Sequence, residues 1–265
     1  MSRFETVTVS DLEAAIEEYK SRGFRLDMIF PADDPREAVL SEPPAIAGGL
    51  SSASDGVESD ESRSVVRLVR SNDRVQPPAT AGGSDGSDWI RGRAGMEYRD
   101  LIPDRLGGKV IASHIRLNEG GEVPDYVHYH KIDFQVIYCK KGRIRVVYED
   151  QGEPFWLETG DLVLQPPQIR HRVLECTAGA EVIEIGSPAE HETWVEHELD
   201  LPNSRLDPDR EFSGRRFFRY ERTGSKPPRD ETEAALIDLA KSLGNAAPDE
   251  ILVAINAFLG KAPAA

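Results

Sequence analysis

Three of the six histidines, His128, His130 and His171, lie within residues 121–175. They sit among short β-branched and aromatic runs broken by Gly and Pro. Imidazole donates a neutral nitrogen to divalent transition metals and moves protons near neutral pH. His128 and His130 are two residues apart. Side chains alternate along an extended strand, so this spacing aims both rings at one face. The plainer alternative is three unrelated core or surface imidazoles, and the surrounding elements have to decide between the two.

Those elements are short strands. From Trp89 onward, residues 93–102, 109–117, 125–130, 134–140, 143–150, 155–159, 161–165, 171–176 and 180–186 are strand candidates separated by Gly and Pro turn signals. Many short strands at regular spacing indicate an all-β sandwich or barrel. An irregular arm follows over 187–228, with His191, His197 and the basic-aromatic run GRRFFRYER; both histidines read as surface residues and the run as a final packed strand. Residues 230–244 and 248–261 read as two helices, with Asp230 capping the first and Pro248 opening the second. Leu236, Leu239, Leu243, Ile251, Leu252, Ile255 and Phe258 give this pair apolar faces that must pack on the barrel or on another subunit.

Ahead of the barrel, 4–9 alternates as a strand, 9–22 is an amphipathic helix with Ser10 as N-cap, and 24–30, 36–42 and 64–70 are further strands. The expected domains are a small α+β module over 1–75, a linker over 76–88, a β-barrel over 89–222 and a helical pair over 229–261. Residues 43–63 are poor in large apolar side chains, and a mobile loop is expected there. The order β-α-β-β-β resembles one half-module of the vicinal oxygen chelate (glyoxalase-like) fold. Its strands carry no His/Glu ligand set, so that resemblance implies a structural or dimerising unit.

The histidine-bearing stretch resembles the double motif of the cupin superfamily across about residues 93–190. The first motif, HxH followed by a carboxylate and then a Gly, reads here as His128-Tyr129-His130, Gln135 and Gly142. The second, Gly, Pro and then His, reads as Gly160, Pro166 and His171. The resemblance implies a mainly β fold, the double-stranded β-helix (jelly-roll) barrel, and a metal held by His128, His130, Gln135 and His171. Such a donor set suits Fe(II) foremost, with Mn(II), Ni(II), Cu(II) or Zn(II) as alternatives. Gln135 stands where the family usually has Glu, so either a neutral amide ligates or a three-histidine site remains. The glycine usual before the second-motif His is Gln168, which puts the local turn in question.

Strand parity supplies further expectations. Ile137 and Cys139 share the face of Gln135 and line the barrel, while Val173 and Glu175 share the face of His171. Tyr129 points away from the metal. Gln165 and Glu184 are candidate catalytic side chains reaching the pocket. His114 reads as a satisfied core histidine, and Arg170 and Arg172 as solvated edge residues.

The net charge of −15 argues against nucleic acid, which a polyanion would repel. No run approaches the roughly 18 apolar residues of a membrane span, and the N-terminus lacks the apolar core of a signal peptide. A cytoplasmic protein is expected, with Cys139 and Cys176 as reduced core residues and a homodimer as the assembly. Resemblance to the three-histidine oxygenases implies an Fe(II)-type dioxygenase acting on a small oxygen-chelating organic acid, aromatic or diketone. A non-redox isomerase, epimerase or lyase and a non-enzymatic small-molecule binder stay open beside it.

Overall fold

The computed structural model describes residues 3–44, 63–71, 89–91, 95–224, 226–246 and 250–260. Most of the expected mobile loop, the linker over 76–88 and Pro248 lie outside them. The chain forms two compact units: residues 1–76 with 192–195, and residues 77–191 with 196–265.

In the first unit the strands are β1 (Arg3–Val9), β2 (Arg25–Phe30), β3 (Glu37–Ser41) and β4 (Ser64–Arg70), with helix α1 (Leu12–Ser21) between β1 and β2. Sheet order is β1-β4-β3-β2, with β1 and β4 parallel and the other pairs antiparallel. The N-cap falls one residue later than expected. Asp11, in extended backbone, is its N-cap and its carboxylate accepts from the Ala14 amide at 3.0 Å, so Ser10 lies outside the helix. Leu26, Met28, Ala38, Leu40, Val66 and Leu68 form the core. Thr193–Val195, a short strand from late in the chain, pairs with β2 at Thr193↔Ile29.

The second unit is built from two facing sheets, so the mainly β reading holds. It contains β5 (Ile90–Arg91), β6 (Glu97–Asp100), a short helical turn α2 (Arg105–Gly108), β7 (Ile111–Leu117), β8 (Gly121–Glu122), β9 (His128–His130), β10 (Phe134–Lys141), β11 (Arg143–Tyr148), β12 (Phe155–Glu158), β13 (Leu162–Gln165), β14 (His171–Cys176) and β15 (Ala180–Ser187). After β16 (Thr193–Val195) come β17 (Glu211–Phe212), β18 (Arg215–Arg216), β19 (Phe218–Tyr220), and helices α3 (Glu231–Asn245) and α4 (Ile251–Leu259). One sheet runs β19-β13-β10-β15-β7-β6-β5. In the other, β9, β11 and β8 all pair with β14, and β12 pairs with β11.

Alternation on β10, β13 and β15 sorts their side chains cleanly. Cys139, Val163 and Val182 point between the sheets, where they meet Ile144, Val146, Leu157 and Cys176. Val136, Tyr138, Leu162, Leu164, Ile183 and Ile185 point outward against Leu236, Leu239, Leu243, Ile251, Ile255 and Phe258 of α3 and α4. Each fully buried Leu or Ile contributes about 1.5–3 kcal/mol, so the helical pair is held firmly on the sheet. Asp230 caps α3 through the Glu233 amide at 2.9 Å. Leu252 departs from expectation: it is 38% exposed beside the more exposed Val253.

The motif glycines sit where the backbone demands them. Gly142 and Gly160 have φ of +70° and +96°, values that side-chain-bearing residues rarely adopt. Gln168 does adopt one, at φ +60°. The left-handed turn is therefore kept without its glycine, and the Gln168 amide donates to the His130 carbonyl at 3.2 Å.

Candidate metal centre

His128 and His171 are direct partners in the β9–β14 ladder. That register closes a gap of more than forty residues in sequence and puts both rings on one face. Ring centroids are 4.3 Å apart for His128 and His171, 5.1 Å for His128 and His130, and 5.2 Å for His130 and His171. All three side chains are buried, and one ligand atom from each lies within 4.8 Å of the others. Donors about 2.1 Å from one ion stand within about 4.2 Å of each other, so the cluster needs only sub-ångström adjustment to hold one.

Backbone contacts set the tautomers. His128 Nδ1 faces the Tyr126 carbonyl at 2.8 Å and His171 Nδ1 faces the Ile169 carbonyl at 3.0 Å. A carbonyl only accepts, so each Nδ1 carries the proton and each Nε2 is the unprotonated nitrogen, the one able to bind a cation. Behind His128 lies buried Asp125, whose Oδ1 is 3.6 Å from Nδ1 and whose Oδ2 accepts from the Val173 amide at 2.9 Å. Tyr148 pairs with His171 across β11 and β14 and stacks on its ring at 5.5 Å. Burial pushes the Tyr148 hydroxyl pKa upward, which keeps it neutral.

Gln135 is 3% exposed and lies on the inner face of β10 with Ile137 and Cys139. Its Nε2 donates to Glu184 Oε1 at 2.5 Å, while its Oε1 is buried with no hydrogen-bond partner. Gln165 is its direct partner on β13, and the turn after Gln165 leads to His171. Gln135 and Gln165 therefore stand at the histidine end of the barrel. Ser113, buried on β7, is the cross-strand partner of half-buried Glu184. Three imidazoles and a buried amide oxygen lacking a donor make a set that fits a divalent transition ion. The Glu184 carboxylate stands one hydrogen bond behind Gln135.

Two expectations are overturned. His191 is not a surface residue: it is 3% exposed, its Nδ1–H donates to the Pro188 carbonyl at 3.1 Å, and its ring lies edge-on 5.2 Å from His130. It follows a Pro in an irregular arm, where no periodicity marks a buried face. Glu175 does not share the face of His171. An irregularity between Arg145 and Val146 in the β11–β14 ladder inserts Leu174, which resets parity, and Glu175 pairs with Arg145 at 2.7 Å instead. Phe217 and Phe155, which pack beside Tyr148, also went unmarked, since aromatic content alone carries no site signal.

Most other residues fall as expected. Tyr129 is stacked under Arg170 at 4.5 Å. His114 is satisfied on both nitrogens, by Arg99 at 3.2 Å and Glu181 at 2.8 Å. Phe218–Tyr220 pairs with β13 as a final strand, and His197 is exposed. Cys139 and Cys176 are free thiols in the barrel interior, and burial pushes the Cys139 pKa up to about 12. Arg170 is less solvated than expected, since it pairs with Glu196 at 3.0 Å.

Residues 113–186 match the family model of the cupin domain. Among solved structures, an RmlC-like cupin from Shewanella frigidimarina is 26% identical, with a TM-score of 0.34 over 41% of this chain and 89% of that one. KdgF from Halomonas sp. is 22% identical, with a TM-score of 0.33 over 40% and 92%. A variant of oxalate decarboxylase from Bacillus subtilis is 21% identical, with a TM-score of 0.29 over 36% of this chain and 25% of that one. No curated protein matches. Among the described residues no helix is long and apolar enough to cross a membrane.

Proposed function

We propose that this protein is a metal-dependent enzyme of the Fe(II)-dioxygenase type, because residues 113–186 match the cupin-domain family model and three histidines cluster within them. Its substrate is a small oxygen-chelating organic acid, aromatic or diketone. His128, His130 and His171 hold the ion, and Gln135 supplies a fourth donor through Oε1. Mn(II), Ni(II), Cu(II) and Zn(II) suit the same donors. The bound ion supplies Lewis acidity and a path for electrons between substrate and O2.

The observation that carries this reading is the cluster of three buried histidines, with one ligand atom from each within 4.8 Å of the others. Three imidazoles and an amide bring no formal charge, so a dication there draws an anionic, chelating partner. Gln165, 2% exposed and the cross-strand partner of Gln135, would hydrogen-bond that anion. Tyr148, Phe155, Phe217 and Ile169 form an apolar wall that excludes water. Support for a reducing, cytoplasmic setting comes from the two buried free thiols. Exposed Leu252 and Val253 on α4 and Phe4 on β1 offer apolar surface for a homodimer.

Glu184 favours a second reading. A half-buried carboxylate inside the barrel is the group a non-redox isomerase, epimerase or lyase needs to move a proton. Its engagement with Gln135 counts against that role. Anaerobic reconstitution with Fe(II), then oxygen uptake across catechols, hydroxybenzoates, β-diketones and small hydroxy acids, separates the readings. Substrate-dependent uptake supports the dioxygenase. Exchange of substrate C–H for solvent deuterium without uptake identifies the isomerase or lyase, and tight binding with neither identifies a binding protein.

A further inference from the structure

The amide of Gln135 has two ends with different surroundings. Nε2 donates to Glu184 Oε1 at 2.5 Å, and Oε1 is buried without a donor. A carboxylate only accepts, so Glu184 dictates which end of the amide faces it. The oxygen is thereby turned away from Glu184, on the inner face of β10, at the barrel end where Gln165 leads by a short turn into His171. A flipped amide would set oxygen against carboxylate and point two N–H groups into the histidine end, which would repel a cation. A buried carbonyl oxygen with nothing donating to it requires an explanation. A cation shared with the histidines provides one.

We propose that Glu184 is a positioning residue that locks the Gln135 amide with its oxygen toward the three-histidine cluster. The Glu184–Gln135 pair then does, across one hydrogen bond, what a single ligating carboxylate does elsewhere. The carboxylate polarises the amide and strengthens Oε1 as a donor. Its own charge stays off the ion, which leaves the cation more electrophilic than direct carboxylate ligation would. This assignment rests on the metal-centre reading above.

A thermodynamic cycle on the full-length protein tests it, with Co(II) and Zn(II) affinities measured by chelator competition and the Co(II) visible spectrum recorded for each variant. In the native background, E184Q weakens affinity about tenfold or more and alters the Co(II) spectrum, because the new amide no longer dictates orientation: the Gln135 amide is free to flip, accept from the new side chain through Oε1 and turn its N–H groups toward the histidines. In a Q135E background, the same E184Q change strengthens affinity, since it replaces a like-charge neighbour by a donor. This inversion of sign is the expected result, and a merely structural Glu184 does not produce it. If E184Q shifts affinity by less than twofold, or in the same direction in both backgrounds, the positioning role is overturned. If E184Q fails to fold alone, the Q135E pair decides, and E184Q weakening affinity there overturns the proposal. Failure of the unaltered protein to bind either ion overturns the metal-centre reading instead.

Discussion

His114 and the His128–His171 pair are all buried imidazoles on strands of the same barrel, yet they are wired in opposite ways. Arg99 donates to His114 Nδ1 and Glu181 accepts from His114 Nε2, so both ring nitrogens are used within the outer face of one sheet. At His128 and His171 a backbone carbonyl takes the Nδ1 proton, and Nε2 is directed to the shared cluster. A histidine between a cation and an anion is a structural link. A histidine tethered by a carbonyl, with other histidines beside it, has the arrangement a metal ligand needs. Tautomer, more than burial, separates the two.

The largest expected effect breaks the ligand side of this contrast. His128→Ala and His171→Ala abolish metal retention, measured as metal per chain after purification, while Gln135→Ala weakens affinity about tenfold. His114→Gln leaves metal content unchanged. Equal loss of metal in His114→Gln and His171→Ala would erase the distinction.

On the structural side, His114→Gln costs about 1–2 kcal/mol through the weakened bond to Glu181. The cost depends on pH. Burial lowers the His114 pKa below 6.5, against the opposing pull of Glu181, with Lys140 and Arg99 adding to the lowering. The folded state therefore favours the neutral ring, while the unfolded chain takes up a proton near pH 6.5. The stability tied to the neutral ring is present above about pH 6.5 and is lost as pH falls below it. Urea unfolding at pH 7.5, 6.5 and 5.5 measures this. The His114→Gln variant is expected to lose less stability on acidification than the native protein, and parallel curves would refute the assignment.

A smaller change sharpens the turn that delivers His171. Gln168→Gly relieves a left-handed residue and is expected to stabilise by about 1 kcal/mol, with metal affinity held. A lower midpoint in thermal unfolding would mean that the Gln168 side chain does more than tolerate its backbone. The smallest effect is chemical: native Cys139 resists alkylation at pH 8, because its thiol is buried with a pKa of about 12. Mass spectrometry after brief iodoacetamide treatment reads this, with full labelling expected in guanidinium.

Strand periodicity was legible wherever the chain alternates. β7, β10, β11, β13, β14 and β15 lie within a residue or two of their expected spans, as does α3. The inward face of Gln135, Ile137 and Cys139 followed from parity alone, because side chains on a regular strand have nowhere else to point. Parity failed at Glu175, where an inserted Leu174 shifts the ladder. It was silent at His191, which lies in backbone with no period.

The spacing of His128 and His130, the motif glycines and the amide at position 135 were determined by the sequence itself, and with them the kind of chemistry the barrel can host. Tertiary structure decided what no single segment contains: the register that sets His128 against His171, the carbonyls that choose their tautomers, and the Glu184 carboxylate that orients Gln135. The physical reason is that hydrogen-bond partners on separate strands are set by sheet register, and register is a property of the folded barrel as a whole.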